Sequence, residues 1–150
     1  MNDSIKRGGG SRILKHRGGF HWEGVPRTEY KPDAAHWSGV SRTELVCEPA
    51  APSLPFHVRY FEIAPGGRSS CERHEHEHVV MIVRGSGTVR LGDSSNGVGE
   101  GDVVHIRSWE LHQFSADGGE TLGFYCIVAA DRDAPVVEEG ATGACEWKAP

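Results

Sequence analysis

The feature that most constrains the fold is a series of short runs rich in aromatic and β-branched residues. Each run is bounded by Gly, Asp, Asn or Ser, which is the pattern of β-strands separated by tight turns. The runs are residues 56–63, 79–83, 88–91, 103–106 and 121–128. No stretch shows a long apolar period of 3.6 residues, so the sequence predicts almost no helix. Many short strands with glycine-rich turns indicate an all-β sandwich or barrel.

Composition limits the class of protein and its partners. A chain of 150 residues suits one domain, and its net charge of −5 at pH 7 favours neither nucleic acid nor an anionic membrane as a partner. No apolar run approaches the ~20 residues needed to cross a bilayer. The opening MNDSIKRGGGSR has basic residues but no apolar segment behind them, so we expect no secretory signal and a cytoplasmic location.

The four cysteines are far apart in the sequence and form no Cys-x-x-Cys pair. They are Cys47, Cys71, Cys126 and Cys145. In a chain without a predicted secretory signal, this pattern favours free thiols over disulfides.

The remaining segments differ in composition from the predicted strands. Residues 1–19 are rich in Gly, Lys, Arg and Ser and are predicted to be a disordered basic tail. Residues 20–54 are predicted to form an N-terminal arm with short strands. Residues 131–150 are acidic and poor in strand formers, which predicts a C-terminal tail or an edge covering.

The N-terminal arm contains an internal repeat. Residues 21–29 recur as residues 36–44, with seven of nine positions identical. One pair of copies is too few for a solenoid. Two readings stay open: two short strands with similar turns, or an arm that wraps a second subunit.

Two separated segments place potential metal ligands at regular spacing. The first reads Gly66-x5-Glu72-x-His74-x3-His78-x6-Gly85, and the second reads Gly101-x5-Arg107-x-Trp109-x2-His112. Imidazoles together with a carboxylate suit a divalent ion. The predicted ligands are therefore Glu72, His74, His78 and His112. The alternative is a solvated loop that happens to be rich in His and Glu.

These segments resemble the two motifs of the cupin family, small β-barrels with a metal in the barrel mouth. The intervals of the first motif match, but Glu72 stands where a histidine is usual and His78 where a glutamate is usual. In the second motif, Gly101 and His112 keep their places. Three positions of that motif carry residues other than the usual Pro, Gly and Asn: Arg107, Trp109 and Ala116.

The resemblance implies a double-stranded β-helix, or jelly-roll, barrel over residues 55–130. It also implies one divalent metal ion per chain and a homodimer formed through the N-terminal arm. Iron or manganese is the expected ion, with nickel, zinc, cobalt and copper as alternatives.

Three further residues have alternative roles in this reading. His76 lies inside the first motif without a place in it, and it would face solvent, bond a ligand imidazole or replace a ligand. Trp109 and Arg107 would wall the pocket, with Arg107 holding an anionic substrate, or would stay at the surface.

The predicted function is that of a metal-dependent enzyme on a small-molecule substrate. The first hypothesis is a dioxygenase-like oxidoreductase acting on a small oxygen-bearing compound. The second is a non-redox isomerase, lyase or decarboxylase acting on a sugar or small acid. The third is a cupin that binds a metal or a small ligand without catalysis.

Overall fold

The computed structural model describes residues 10–31 and 36–138. Within these ranges there are eleven β-strands and no α-helix, and all strand pairs are antiparallel. The strands are β1 (Arg27–Glu29), β2 (Ser38–Val46), β3 (Phe56–Arg68), β4 (Glu72–Arg73), β5 (His78–Arg84), β6 (Ser86–Leu91), β7 (Ser94–Gly99), β8 (Val103–Ile106), β9 (His112–Ser115), β10 (Leu122–Ala129) and β11 (Val136–Val137). The all-β prediction is confirmed. No helix in the described ranges has the length and apolar character needed to span a membrane.

The central strand β3 is buried on both faces, because the barrel covers one face and the N-terminal arm covers the other. Phe61 and Ile63 belong to the core cluster inside the barrel. On the outer face, the Phe20 ring stacks on Tyr60 with ring centroids 4.9 Å apart. Tyr60 also donates a hydrogen bond to Glu62 at 2.9 Å. Alternate residues of β3 therefore pack on opposite faces of the strand, one set inside the barrel and the other against the N-terminal arm.

A glycine pair near the end of β3 bends the strand, which pairs with β2 and β10 along most of its length and with β9 after the bend. Gly66 has a φ of +81°, a conformation that side chains other than glycine disfavour. A Cβ at Gly67 would lie 2.5 Å from the Ser38 carbonyl oxygen. Beyond this bend, Arg68 pairs with Ser115 of β9.

The sheet is curled, as the jelly-roll prediction requires. Its hydrogen-bonded order is β11-β4-β9-β3-β10-β5-β8, with β2 paired to β3 and the β6–β7 hairpin joined to β9 through β6. Three strand steps separate β9 from β5, which is about 14 Å in a flat sheet. The Nε2 atoms of His112 on β9 and His78 on β5 lie 3.3 Å apart. Curling encloses an apolar core whose most buried members include Ile63, Ile82, Ile106 and Leu122.

The two copies of the internal repeat pair with each other. β1 lies in the first copy and β2 overlaps the second, and the register places Arg27 opposite Thr43 and Thr28 opposite Arg42. β2 continues the main sheet by pairing with β3. The two repeat copies therefore contribute one short strand and one longer strand that pair with each other, while a role of the arm in dimerisation stays a prediction.

The predicted tails contact the sheet where the structure describes them. Part of the segment assigned to a disordered tail is placed: His16 forms a β-bridge with Trp22. At the other end, β11 pairs with the short edge strand β4, placing Val137 opposite Glu72. Residues 131–138 thus cover a sheet edge.

The prediction of four free thiols is wrong for Cys71, which is disulfide-bonded and completely buried. Cys47 and Cys126 are free, and Cys145 lies outside the described residues. The C-terminal segment returns beside Cys71, as the hydrogen bond from the Glu138 amide to the Cys71 carbonyl at 2.8 Å shows. Spacing along the sequence does not reveal this return, which explains the wrong prediction.

Candidate metal centre

Three of the four predicted ligands come together at one point. His74, His78 and His112 each offer a ring nitrogen, and these atoms all lie within 4.8 Å of one another. His112 begins β9, His78 begins β5, and His74 lies in the loop between β4 and β5. His74 and His112 are buried, and His78 is partly buried. The arrangement could hold a metal ion.

Backbone carbonyls orient two of these imidazoles. His74 Nδ1 lies 2.7 Å from the His76 carbonyl oxygen, and His112 Nδ1 lies 2.8 Å from the Glu110 carbonyl oxygen. A carbonyl only accepts, so Nδ1 is the donating nitrogen in each ring and Nε2 keeps its lone pair. Carbonyl-oriented imidazoles of this kind are typical of metal-binding histidines. The donor set therefore fits a divalent metal ion.

Burial keeps the three imidazoles in the neutral form that binds metal. It lowers the pKa of His78 to about 2, with the neighbouring imidazole of His112 as the next cause. Burial also lowers the pKa of His112 to about 4, against the opposing effect of its bond to the Glu110 carbonyl. The pKa of His74 is lowered for the same first reason. Metal ions compete with protons for such nitrogens, so low values favour binding.

Glu72, the fourth predicted ligand, is engaged by a lysine. Its Oε2 accepts a hydrogen bond from Lys31 Nζ at 2.5 Å, and Lys31 also donates to Ser70 Oγ at 3.1 Å. Glu72 stands directly opposite His112 in the β4–β9 pair, where facing side chains are near neighbours. It is not in the group of converging ligand atoms found within the described ranges. A ligand role for Glu72 therefore stays a prediction, supported by its register.

His76 packs on a candidate ligand and does not face solvent. Its ring stacks on His74 with centroids 3.7 Å apart, and its Nδ1 lies 2.7 Å from Asp133 Oδ1. Asp133 also accepts hydrogen bonds from the amides of Glu75, at 2.8 Å, and His76, at 3.0 Å. These hydrogen bonds hold the pKa of Asp133 below its usual range. Asp133 thus fixes the loop that carries His74.

Arg107 and Trp109 are exposed, and neither is among the residues that line the cavity over the histidines. Trp109 has a φ of +64°, which is uncommon for a residue other than glycine. Its amide donates to the His74 carbonyl at 2.7 Å. The left-handed conformation suits the glycine that is usual at this position in cupins, although the residue here is tryptophan. Its backbone, not its ring, supports the site.

The cavity over the histidines has a volume of about 220 Å³ and opens to solvent, which leaves room for a small molecule. Its wall carries charged residues, and of these only Glu72 was predicted from the sequence. The cationic ones are Lys31, Arg42, Arg59 and Arg132. The carboxylates on the wall are Glu72 and Asp133. One of these residues could have been found from the sequence. Arg59 lies within a predicted strand that is rich in apolar and aromatic residues, and a charged residue at such a position indicates a possible role in binding.

Comparison with known proteins agrees with this architecture. The family model described as "Cupin domain" matches residues 59–128. The chain also shares 41% identity over 116 residues with a curated relative, covering 77% of this chain and 73% of that protein. The chain belongs to the cupin family.

The curated relative is the 1-methylthio-D-xylulose 5-phosphate methylsulfurylase of Rhodospirillum rubrum. Two solved structures are also similar to the chain. A cupin-2 domain from Rhodospirillum rubrum has 38% identity and a TM-score of 0.73, covering 91% of this chain and 85% of the other. A cupin 2 conserved barrel domain protein from Rhodopseudomonas palustris has 41% identity and a TM-score of 0.73, covering 85% of each chain.

Proposed function

We propose that the protein is a metal-dependent enzyme that removes the methylthio group from a phosphorylated sugar. The sugar would be 1-methylthio-D-xylulose 5-phosphate or a near analogue, the compound in the name of the relative with 41% identity. The proposal shares the Lewis-acid metal and the sugar substrate with the second hypothesis of the sequence analysis, but the reaction is a group transfer and not an isomerase, lyase or decarboxylase reaction.

One observation carries the proposal: three convergent imidazoles and a cationic wall share a single cavity. The whole chain has a net charge of −5, yet four cationic side chains and only two carboxylates line this cavity. A ketose phosphate offers a carbonyl oxygen for a metal and a dianion for the cations. Neither a neutral apolar compound nor a cation would use both features.

The proposed reaction assigns metal binding and proton transfer to different residues of the cavity. His74, His78 and His112 would hold the ion, with Glu72 as the predicted fourth ligand. A bound divalent ion acts as a Lewis acid on a carbonyl oxygen, which eases cleavage at the adjacent carbon. A small thiol as co-substrate would accept the methylthio group as a mixed disulfide, and the electron pair of the broken carbon–sulfur bond would stay with the sugar carbon. Lys31 Nζ, which lies beside Glu72, would then donate the proton that this carbon requires.

The test is turnover of 1-methylthio-D-xylulose 5-phosphate by protein reconstituted with manganese or iron. Release of the methylthio group is measured with and without a small thiol that can accept it. We expect release by the unchanged protein, a loss of at least about 100-fold in His74→Ala, and little change in His105→Ala. His105 is an exposed histidine paired with Glu77, so it is a matched control. No release with any of these metals contradicts the proposal.

The same reaction mixtures test the other hypotheses. Oxygen uptake in step with substrate loss would support the dioxygenase-like oxidoreductase predicted from the sequence. Binding of the sugar phosphate without turnover would support the non-catalytic reading. Iron or manganese as the ion, a homodimer and a cytoplasmic location remain predictions. The disulfide at Cys71 bears on the last, because such bonds are rare in the cytosol of mesophiles.

A further inference from the structure

Two of the four cations on the cavity wall are already neutralised by carboxylates. Lys31 pairs with Glu72 at 2.5 Å, and Arg42 Nε lies 3.6 Å from Glu44 Oε1. Arg59 and Arg132 form no ion pair with any carboxylate in the described ranges. An unpaired charge in a partly buried site raises the free energy of the folded protein unless a ligand of opposite charge pairs with it.

Arg59 is held in place by neighbours that leave its charge uncompensated. Its guanidinium lies over the Phe61 ring, 4.9 Å from the ring centroid, and its Nη2 donates to Cys126 Sγ at 3.4 Å. The buried Nε has no hydrogen-bond partner among the described residues. Arg59 stands opposite Cys126 in the β3–β10 register, so the sheet fixes its position.

Arg132 is anchored from one nitrogen only. Its Nη1 donates to the Ala129 carbonyl at 2.9 Å and lies 3.1 Å from His57 Nδ1. Nη2 and Nε form no hydrogen bond to the described residues, so they are available to a ligand in the cavity that Arg132 lines. Burial, and next the like charge of Arg59, lower the pKa of Arg132. Arg132 contacts His57, which lies two residues before Arg59 on the same face of β3, and both arginines line the cavity, so the two guanidinium groups lie near each other.

The geometry points to a phosphate-monoester subsite formed by Arg59 and Arg132 in the same cavity as the three histidines. Guanidinium groups present forked donors that match phosphate oxygens, and a dianion would relieve the repulsion between them.

The subsite also lies at a useful distance from the candidate metal centre. Two successive contacts join them: Arg59 Nη2 to Cys126 Sγ at 3.4 Å, and Cys126 Sγ to His78 Nδ1 at 3.3 Å. In a pentulose 5-phosphate, three carbon–carbon bonds and an ester oxygen separate the carbonyl carbon from the phosphorus. One such molecule can therefore place its phosphate on the arginines and its carbonyl near the imidazoles. This assignment rests on the proposed function for the identity of the sugar, but not for the anion site itself.

Calorimetric titration of the metal-loaded protein tests the subsite. The probes are D-xylulose 5-phosphate, inorganic phosphate and D-xylulose, which separate the phosphate group from the sugar. We expect D-xylulose 5-phosphate to bind about tenfold or more weakly to Arg59→Met and to Arg132→Met, since each removes charged hydrogen bonds. The affinity for inorganic phosphate should fall by a similar factor in both variants, and the affinity for D-xylulose should not change. Arg107→Met, which removes an exposed arginine outside the cavity, should leave all three affinities unchanged.

Thermal melting of each variant checks the fold, and Arg132→Lys is the substitute if Arg132→Met does not fold. A lysine keeps the charge but not the fork, so binding should fall by less. Equal affinity of the unchanged protein and both Met variants for D-xylulose 5-phosphate would overturn the subsite. So would an equal loss in Arg107→Met, or no phosphate binding by the unchanged protein. Binding that depends on both arginines, without methylthio release in the turnover assay, would keep the subsite and reject the proposed function.

Discussion

Replacing Glu72 with Gln tests whether this carboxylate completes the metal centre. The change keeps the shape of the side chain and removes the charge that faces Lys31. The contact between them is 2.5 Å, and the two side chains are only 10% and 26% exposed. Loss of a charged hydrogen bond in such a setting costs about 1–3 kcal/mol. At about 3 °C per kcal/mol for a chain of this size, the metal-free protein should melt about 3–9 °C lower.

The second expected effect of Glu72→Gln is on the metal. Loss of an anionic ligand should weaken metal binding by at least about tenfold, measured by competition with a chelator of known affinity. Lys31→Met is the matched control, because it breaks the same pair from the other side. It should lower stability by a similar amount but strengthen metal binding, since the ammonium no longer competes for the carboxylate. Metal affinity within twofold of the unchanged protein in Glu72→Gln would show that Glu72 serves Lys31 alone.

Three further predictions concern the histidines and one turn. His112→Ala should lower bound metal at least about tenfold by elemental analysis, whereas the exposed His105→Ala should not; full occupancy in the first would remove His112 from the ligand set. Gly85→Ala should cost about 2–4 kcal/mol in denaturant unfolding, because φ is +67° and a Cβ would lie 1.9 Å from the Thr121 carbonyl oxygen; a cost below about 1 kcal/mol would contradict this. The folded-state pKa values of His78 and His112, about 2 and about 4, lie below the ordinary 6.5, so the unfolded chain takes up these protons first. The metal-free protein should therefore be fully stable above pH 6.5 and lose stability steadily as the pH falls from 6.5 to about 4, with a shallower loss below that from His78 alone. An unfolding free energy that stays constant between pH 6.5 and 4 would argue against buried neutral imidazoles.

The fold was largely predictable because strand formation here follows local pattern. The runs at 79–83 and 103–106 alternate or concentrate apolar residues between turn residues, and both lie in strands. The contribution of β2 to the main sheet was not predictable. Its residues were assigned to an arm, and only long-range pairing with β3 shows that Arg42 reaches the cavity.

The histidines of the site were predictable from the spacing of the two motifs, but the arginines of the cavity wall were not. Spacing found His74, His78 and His112, because ligands on separate strands of a known motif recur at fixed intervals. Spacing could not find Arg59 and Arg132, which lie outside both motifs and come near each other through the pairing of β3 with β10 and the turn after β10.

The placement of the ligands on the sheet has a mechanical consequence. Since β9 and β5 are separated by β3 and β10 in the hydrogen-bonded order, a cation bound by His112 and His78 cross-links strands that no backbone hydrogen bond joins. The bound ion would then cross-link the two strands across the barrel mouth. Amide protons near the mouth should therefore exchange with solvent more slowly in the metal-bound protein than in the metal-free protein. Metal binding is therefore expected to stabilise the barrel against opening at its mouth.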